Sequence, residues 1–437
     1  MATSALPAIE PHPPRAPGHL PWAGSGFSLA RDPTAFFQSA RESVGDTFEL
    51  DAFGYRLFCV FSPEGVKNLW NLPEEKASKG AADFALLRHK VPTELFAGRR
   101  TMPHDLFGRE DVEVYLENLH EAMEVALEEL SSAGCFEIFE FMRRLAHRMG
   151  LASWGGLGPA TYRFLDPLVQ RFDRLDSAES FVFPMKGFVT VATRKRAERR
   201  ALEEIEAIYR EILAAREGEE KEGGDLFDRI CTAWSDVEGP EREIGIARDV
   251  VLVHMGSQSN LFAAMAWTLV HLLERPDLIE EIRGGDTELL ERCASESIRL
   301  AQRSIVLRRV LRPVELADEE RSYKLEPGVF ATTMMSVTNT SAAPGLDRYD
   351  PDHYRGREFQ LADALPAREL VTTFGHGRHA CPAQRFSISA ICDAVGALIT
   401  DYDFSPRYRD PQPLRRQIGG IARADRRCWM DYRVRNR

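Results

Sequence analysis

Apolar residues recur every three or four positions along most of the chain, a spacing that predicts amphipathic helices. The clearest case is residues 109–130, where Val112, Leu116, Leu119 and Leu127 fall on one helical face. The same spacing predicts further helices at residues 33–44, 63–70, 136–150, 158–175, 193–217, 225–234, 244–273, 277–283 and 287–300, and a last one after position 381. Helix therefore dominates the predicted fold.

Alternation of apolar and polar residues predicts only a few strands. Residues 47–53 and 56–62 form a predicted hairpin turning at Gly54 and Tyr55, and residues 305–311 and 329–337 are also strand-like. We find no internal repeat and no linker. The prediction is a mainly α fold with minor β, in one large domain over residues 17–437 after a Pro-rich tail over residues 1–16. The prolines of the tail lack N–H donors, so we expect it to lie on the surface without regular pairing.

Composition narrows the functional classes. The chain has 437 residues, with Lys+Arg 56 against Asp+Glu 67, and its net charge of −11 argues against a nucleic-acid binder. No apolar run has signal-peptide or membrane-anchor length, and residues 250–273 are broken by His254 and Gln258, as in a buried helix. The seven cysteines are odd in number and scattered, which favours neither a disulfide framework nor a cysteine zinc site and suggests a cytoplasmic location.

One cysteine lies in a segment that carries chemistry. Gly375 and Gly377 permit backbone conformations that other residues avoid, and Pro382 suits the first position of a helix. Cys381 would then lie at a helix N-terminus, where free N–H groups depress a thiol pKa. A thiolate on a glycine-rich loop is what a thiolate-ligated haem iron needs. The alternative is an inert buried cysteine at a helix start.

The segment from Phe374 to Ala383 resembles the haem-binding loop of the cytochromes P-450, F-G-x-G-x-[HR]-x-C-x-G. One departure is Ala383, which replaces the final glycine and adds only a methyl group. The resemblance implies the cytochrome P-450 fold, a single triangular domain, with haem b as cofactor. It also implies that Cys381 is the metal ligand, that His379 binds a haem propionate, and that Phe374, Gly375 and Gly377 contact the cofactor.

A second segment resembles the K helix of this family, with Glu296 and Arg299 as its E-x-x-R pair. Residues three apart share a helical face, so an ordinary surface ion pair is the alternative. The strand-like residues that follow resemble the family's path to a propionate-binding arginine, a place that Arg308 takes. Where the family usually has a further arginine, this chain has His353, a pH-sensitive or neutral member of the network.

A third segment, residues 256–260 with Trp267 and Pro276, resembles the family's I helix. Together the three segments extend the resemblance over about residues 17–429. The expected W-x-x-x-R helix is missing near residues 95–110, where Arg99, Arg100 and His104 are only weak candidates for a further propionate contact.

The catalytic positions of this helix depart from the family pattern. Most oxygen-activating members carry an acid followed by threonine, and these positions here are Ser259 and Asn260. An amide forms hydrogen bonds but does not exchange protons as an acid does. The segment resembles the group that contains sterol 7α- and 12α-hydroxylases and prostacyclin synthase, which implies either oxygen-dependent hydroxylation or oxygen-independent peroxide rearrangement. A third interpretation is that Asn260 only satisfies backbone groups at a helix bulge.

Two other functions of a haem-thiolate protein are less favoured. Fatty-acid peroxygenases of the family hold the substrate carboxylate with an I-helix arginine, and no arginine occurs between Arg248 and Arg275. A non-catalytic haem sensor would keep Cys381 but would show no substrate-induced change in its haem spectrum.

The resemblance also implies where a substrate binds. The implied lining is mostly apolar, as for a steroid, terpenoid, lipid or polyketide, and comprises the loop before Arg109, residues 181–188, 253–261, 304–306 and 418–421. We expect a soluble, bacterial enzyme of secondary metabolism that takes electrons from a ferredoxin or flavodoxin. Exposed basic residues near the cysteine, such as Arg378 and Arg385, would bind this acidic partner.

The sequence thus predicts an oxidoreductase, a haem-thiolate monooxygenase that hydroxylates a hydrophobic small molecule with dioxygen. The alternative is an oxygen-independent isomerase or dehydratase acting on a hydroperoxide or endoperoxide. Cys381, Asn260 and Ser259 are the predicted catalytic residues.

Overall fold

The structure, a computed structural model, describes residues 8–10, 12–101, 106, 112–176, 189–216, 225–319, 321–356 and 358–435. Several helices begin where the sequence supplies a capping side chain. Asp32 accepts a hydrogen bond from the Ala35 N–H at 3.1 Å, with Pro33 in the first turn. Asp225 and Asp228 form a reciprocal capping box. Such caps satisfy N–H groups that have no partner within the helix.

The helices are α1 (Gly26–Arg31), α2 (Pro33–Val44), α3 (Pro63–Asn71), α4 (Lys79–Leu87), α5 (Val112–Glu128), α6 (Ile138–Gly155), α7 (Leu165–Leu175), α8 (Arg196–Arg216), α9 (Leu226–Ala233), α10 (Pro240–Leu273), α11 (Pro276–Arg283), α12 (Thr287–Ala301), α13 (Met335–Ser341) and α14 (Gln384–Asp401). The strands are β1 (Ala8–Glu10), β2 (Thr47–Ala52), β3 (Tyr55–Val60), β4 (Ala77–Ser78), β5 (Ala133–Glu137), β6 (Ile305–Val310), β7 (Val314–Ala317), β8 (Arg321–Leu325), β9 (Phe330–Met334), β10 (Tyr354–Arg355), β11 (Glu358–Phe359), β12 (Tyr402–Pro406) and β13 (Trp429–Val434).

The chain divides into two compact units. The first comprises the residues up to Leu87, Ile298–Ala380 and Pro413–Ala422. It contains a five-stranded sheet in the order β2-β3-β9-β6-β4 and a three-stranded sheet in the order β1-β8-β7. β3 and β9 run parallel and the other pairs of the larger sheet are antiparallel. Aromatic and aliphatic side chains of both sheet faces, with those of α2 and α3, form its core.

The second unit is mainly helical and comprises Arg88–Ser297, Cys381–Gln412 and Arg423–Arg437. Its longest helix is α10, which packs against α6, α8 and α14 and is buried over much of its length. A three-stranded sheet in the order β12-β13-β5 also belongs to this unit. Within the described residues, no helix is both long enough and apolar enough to span a membrane.

The predicted class, mainly α with minor β, is confirmed. The predicted hairpin is present as β2 and β3, and the helix predicted at residues 33–44 has these bounds. Asp286, directly before α12, accepts a hydrogen bond from the Leu289 N–H at 2.9 Å and so caps this helix. The division into a tail and a single domain from residue 17 stays a prediction.

Three local predictions were wrong. Residues 329–337 are strand only as far as Met334, because its ladder partner Ile305 is the first residue of β6 and the chain continues as α13. The helix predicted from residue 158 begins at Leu165, after a 3-10 turn at Gly158–Ala160. In the N-terminal tail, Ala8–Glu10 pairs in parallel with β8, since these three residues lie between prolines and keep their N–H donors.

Candidate functional site

Cys381 opens the second stretch of the helical unit and lies three residues before α14. Its carbonyl accepts a hydrogen bond from the Gln384 N–H at 3.4 Å. Burial raises the pKa of the Cys381 thiol, and a hydrogen bond from the Ala383 backbone lowers it only in part. The predicted depression of this pKa was therefore wrong, because the helix starts at Gln384 rather than Pro382 and desolvation outweighs its N–H groups.

The loop before the cysteine depends on glycine. Gly375 has a φ of +84° and Gly377 a φ of +59°, so the predicted special conformations are present. A Cβ at Gly375 would lie only 2.8 Å from the His379 carbonyl oxygen. The Gly375 N–H donates to Thr372 Oγ1 at 2.7 Å, which holds the turn in place. Phe374 is partly buried beside it.

Arg308 and His379 meet in the first unit. The Arg308 guanidinium, 1% exposed, contacts His379 Nε2 and donates from Nε to the Ala77 carbonyl at 2.9 Å. Glu74 Oε2 lies 3.6 Å from Arg308 Nη2 and 3.4 Å from His379 Nε2. Burial and the guanidinium lower the pKa of His379, so its imidazole is neutral at pH 7. Because a guanidinium only donates, His379 Nε2 accepts from Arg308, and the neutral ring keeps its N–H on Nδ1 as the one donor that it offers a carboxylate.

The E-x-x-R segment is structural. Glu296 and Arg299 are both 0% exposed, so the surface ion-pair interpretation is wrong. Arg299 Nη1 donates to the carbonyls of Asn339 and Leu346, each at 2.6 Å. The Asn339 amide in turn bonds the backbone of Thr372 in both directions, at 2.9 Å each. Arg299 is thereby connected through one amide to the residue that holds Gly375.

His353 lies elsewhere in the first unit, partly buried, with its ring 6.2 Å from that of Phe359. Its predicted membership of a basic network with Glu296 and Arg299 stays a prediction.

Ser259 and Asn260 lie on the long helix α10, both partly buried. The helix is α-helical throughout Pro240–Leu273, so no bulge interrupts it at Asn260 and the bulge interpretation fails. Two positions earlier, Gln258 is 2% exposed, and its Oε1 has no hydrogen-bond partner within the described residues. Ser257 Oγ donates to helix carbonyls, to Val253 at 3.0 Å and to His254 at 3.1 Å.

A histidine pair connects this helix to α6 and has no local sequence pattern. Trp154 Nε1 donates to His254 Nδ1 at 3.0 Å, so neutral His254 carries its proton on Nε2. That nitrogen lies 2.8 Å from His147 Nδ1. His147 Nε2 lies 3.5 Å from Asp173 Oδ1. Burial lowers the pKa of both histidines, and both are 0% exposed.

Other predicted site residues have mixed outcomes. Arg99 Nη1 lies 2.6 Å from Asp236 Oδ1, and its Cζ lies 5.5 Å from the ring centroid of Trp234. These contacts occupy the guanidinium that the sequence offered as a weak candidate for a propionate. Arg100 is exposed. His104 and the predicted lining residues 181–188 lie outside the described residues, as does the loop directly before Arg109.

The lining predicted at residues 304–306 and 418–421 belongs to the first unit. Ser304 Oγ bonds Gln302 Oε1 at 2.8 Å and accepts from the Gly420 N–H at 3.1 Å. These bonds tie the strand-like residues before β6 to the turn at residues 419–420.

Comparison with known proteins identifies the relatives of the chain. No protein-family model matches it. The human 24-hydroxycholesterol 7-alpha-hydroxylase is 21% identical over 97% of this chain and 94% of that protein. Mouse cytochrome P450 7B1 is 21% identical over 97% of this chain and 91% of its own length. The lanosterol 14-alpha demethylase of Eremothecium gossypii is 24% identical over 86% and 79%.

The chain is a homologue of the cytochromes P450. The resemblance drawn from three short segments is thus confirmed over nearly the whole chain, as is its assignment as an oxidoreductase enzyme of the monooxygenase class. The mainly helical structure agrees with the fold of this family. The relatives named here are eukaryotic, and the predicted bacterial type stays a prediction.

Cytochrome P450 relatives imply a haem cofactor, and the donor set present here fits one. Cys381 offers a single soft sulfur ligand, the usual partner of iron in haem-thiolate proteins. The loop at Gly375 has no room for a side chain, and the buried guanidinium of Arg308, in contact with His379, offers a cation for a carboxylate.

Proposed function

We propose that the chain is a haem-thiolate monooxygenase that oxidises a hydrophobic small molecule with dioxygen and electrons from a separate ferredoxin. The cofactor would be haem b. The observation that carries the proposal is the loop from Phe374 to Cys381, in which glycine-dependent turns and the contact of His379 with Arg308 directly precede a partly buried cysteine in the chain. The full-length relatives, which include a hydroxylase and a demethylase by name, support it.

In this proposal, Arg308 and the named residues of the loop each have a role in binding the haem. Cys381 holds the iron as a thiolate, and binding the metal overcomes the raised thiol pKa because a coordinated thiol is deprotonated. Arg308 and His379 bind propionate oxygens, and Phe374, Gly375 and Gly377 let the backbone come close to the macrocycle. The haem, when bound, supplies the activation of dioxygen.

Asn260 and Ser259 take the place of the usual acid and alcohol. The Asn260 amide would orient dioxygen or water by hydrogen bonds but would release no proton. Protons therefore come through ordered water or substrate hydroxyls. The same amide would suit an isomerase that orients a peroxide bond, but the relatives' names favour hydroxylation over rearrangement.

The proposed substrate is a steroid, with a terpenoid, lipid or polyketide as the wider class. Two relatives are named for 24-hydroxycholesterol and lanosterol, which are sterols. We propose a cytoplasmic location, supported by seven cysteines that form no disulfide within the described residues.

The acidic electron donor would contact exposed arginines such as Arg378 and Arg385, both exposed in their respective units. Charge reversal of the two to glutamate should lower the rate of reduction by ferredoxin at least about tenfold at low salt. It should also flatten the dependence of that rate on salt. Unchanged rates would remove these residues from the proposed interface.

Two parallel incubations test the function. In one, purified ferric protein receives a lipid hydroperoxide without reductant; in the other it receives a sterol, ferredoxin, ferredoxin reductase, NADPH and oxygen. We expect an oxygenated sterol only in the second. Turnover in the first tube alone would establish the isomerase or dehydratase instead. Absence of a long-wavelength Soret band in the reduced, carbon-monoxide-treated protein would refute both.

A further inference from the structure

The helical unit contains a cavity of about 1380 Å³. Its wall is formed by residues of α6 and α7, by the first turn of α8 and by residues 189–194, which precede that helix. Lys90 and Arg423 complete the lining. None of the lining residues is among those that we assign to the haem or to oxygen. The cavity therefore has room for a small molecule apart from the proposed chemistry.

Each carboxylate on the cavity wall already faces a cation of the same wall. The pairs are Glu140–Arg143 at 2.8 Å, Asp173–Arg143, Asp176–Arg423 at 3.1 Å and Glu198–Lys90 at 3.0 Å. The acids of the described lining are thus used within these pairs, and none of them is left to neutralise a further cation.

Three further arginines on the wall, Arg174, Arg194 and Arg196, have no such partner. Their guanidiniums form no ion pair and no hydrogen bond with any residue that the structure describes. All three residues are exposed, so their N–H donors are accessible from the cavity. The described lining has six cations and four carboxylates, whereas the whole chain has a net charge of −11. The cavity is thus a local site of excess positive charge in an acidic protein.

The backbone at Arg194 and Lys195 is strained. Their φ angles are +52° and +56°, in the left-handed region that residues with a Cβ rarely adopt. The turn is held through Lys195, whose N–H donates to the Thr190 carbonyl at 2.9 Å and whose Nζ donates to the Val91 carbonyl at 3.0 Å. The Arg194 side chain has no part in these contacts and lines the cavity instead. Such strain is typical of functional sites.

The basic residues 194–196 also lie at the unfavourable end of a helix. α8 begins at Arg196 and is 21 residues long, and the positive end of its dipole disfavours cations there. Glu198 in the first turn does not compensate them, because its Oε1 is bonded to Lys90 and Thr190. An anion in the cavity would stabilise this arrangement.

We propose that the cavity binds a small molecule that carries a di- or triphosphate group, with Arg174, Arg194 and Arg196 as its binding residues. A guanidinium donates two parallel N–H bonds to phosphate oxygens, and three guanidiniums suit the several charges of a polyphosphate. Apolar side chains on the same wall offer a surface to an organic part of the ligand, namely Val189, Ala192 and Ala197. This inference does not rest on the proposed function.

The test is isothermal calorimetry with tripolyphosphate, ATP and adenosine, each without divalent cations, at low and at high salt. The proteins are the wild type, Arg174→Gln, Arg194→Gln and the control Arg433→Gln. Arg433 is an exposed arginine on β13 that does not line the cavity, so its substitution removes an equal charge elsewhere in the same unit.

We expect tripolyphosphate and ATP to bind the wild type, more weakly at high salt, and adenosine not to bind. Arg174→Gln and Arg194→Gln should each weaken the binding of both anions at least about tenfold, as for a lost hydrogen bond to a charged group. Arg433→Gln should stay within about twofold of the wild type. Tighter binding of ATP than of tripolyphosphate would identify an organic ligand, and equal binding would identify the inorganic anion.

The proposal is overturned if neither anion binds at millimolar concentration, or if Arg433→Gln weakens binding as much as the two cavity variants do. Circular dichroism checks that each variant folds. Should Arg194→Gln fail to fold, Arg194→Gly decides the result, because glycine suits a φ of +52° and removes the same guanidinium. Unchanged affinity in Arg194→Gly would then refute the role of Arg194.

Discussion

The cysteine loop and the long helix α10, the two regions to which we assign the proposed chemistry, differ in their backbone. The loop uses irregular backbone: Gly375 has a positive φ, and its turn is held by Thr372. The helix is regular at Ser259 and Asn260, so its backbone restricts these side chains little. In the proposed function, cofactor binding falls where backbone geometry limits the residue type, and reaction specificity falls where the backbone limits it less. This difference explains why the loop matches the family pattern closely and the helix departs from it.

The largest expected effect concerns Cys381. Cys381→Ala removes the sulfur ligand, and we expect complete loss of the long-wavelength Soret band of the reduced carbon-monoxide complex. The control is Cys135→Ser, which changes an exposed cysteine and should leave the band intact. A Cys381→Ala protein that kept the band would refute the assignment of the ligand.

Lowering the pH should reduce the folding stability of the helical unit through its two buried histidines. His147 and His254 are buried and their pKa values are lowered, so the unfolded chain binds more protons than the folded one below about pH 6.5. Stability is complete above that pH and falls as the pH drops toward the folded-state pKa values. The loss should reach up to about 1.4 kcal/mol per pH unit for each imidazole.

Urea unfolding at pH 7.5, 6.0 and 5.0 measures this dependence. His271, whose pKa burial lowers to about 4, contributes in the same direction, so the comparison must use a variant. His147→Gln with His254→Gln should show a smaller loss between pH 6.5 and 5.0 than the wild type. Parallel curves for the two proteins would show that the histidine pair does not carry the effect.

A smaller effect on stability and haem retention is expected in the loop, from steric contact at Gly375. Gly375→Ala places a Cβ 2.8 Å from the His379 carbonyl oxygen, whereas Gly345→Ala, at a similar φ of +87°, meets nothing within 4 Å. In both variants an alanine in the left-handed region costs about 1–2 kcal/mol of folding stability. Only Gly375→Ala adds a steric clash with the backbone. We expect Gly375→Ala to have the lower melting temperature and the weaker haem retention. Equal losses would mean that the loop relaxes freely.

The smallest expected effect is at Asn260. Asn260→Thr supplies a hydroxyl to the helix, and the ratio of product formed to electrons consumed should change by a few-fold through a different proton supply. Folding and haem content should stay as in the wild type, measured by absorbance. A ratio equal to that of the wild type would refute a role of Asn260 in proton delivery or oxygen positioning.

The residues of the cysteine loop could be predicted from the sequence, but the distant residues that contact them could not. Gly375, Gly377, His379 and Cys381 are close in the chain, so their shared pattern was visible in it. Glu74, which contacts both Arg308 and His379, lies more than 200 residues from Arg308 and has no local pattern. The Cys381 pKa was also mispredicted, because a helix start can be read locally but desolvation depends on the whole surroundings.

The sequence by itself determined the mainly helical class, the β2–β3 hairpin and the cysteine loop, because hydrophobic periodicity, turn residues and a short motif are local properties. Only the tertiary structure showed the His147–His254 pair, the burial of Arg299 and the contact of Glu74 with both Arg308 and His379. These features arise when segments distant in the chain pack together and remove polar groups from water. Their energies depend on the partners that the fold supplies, which no local pattern encodes.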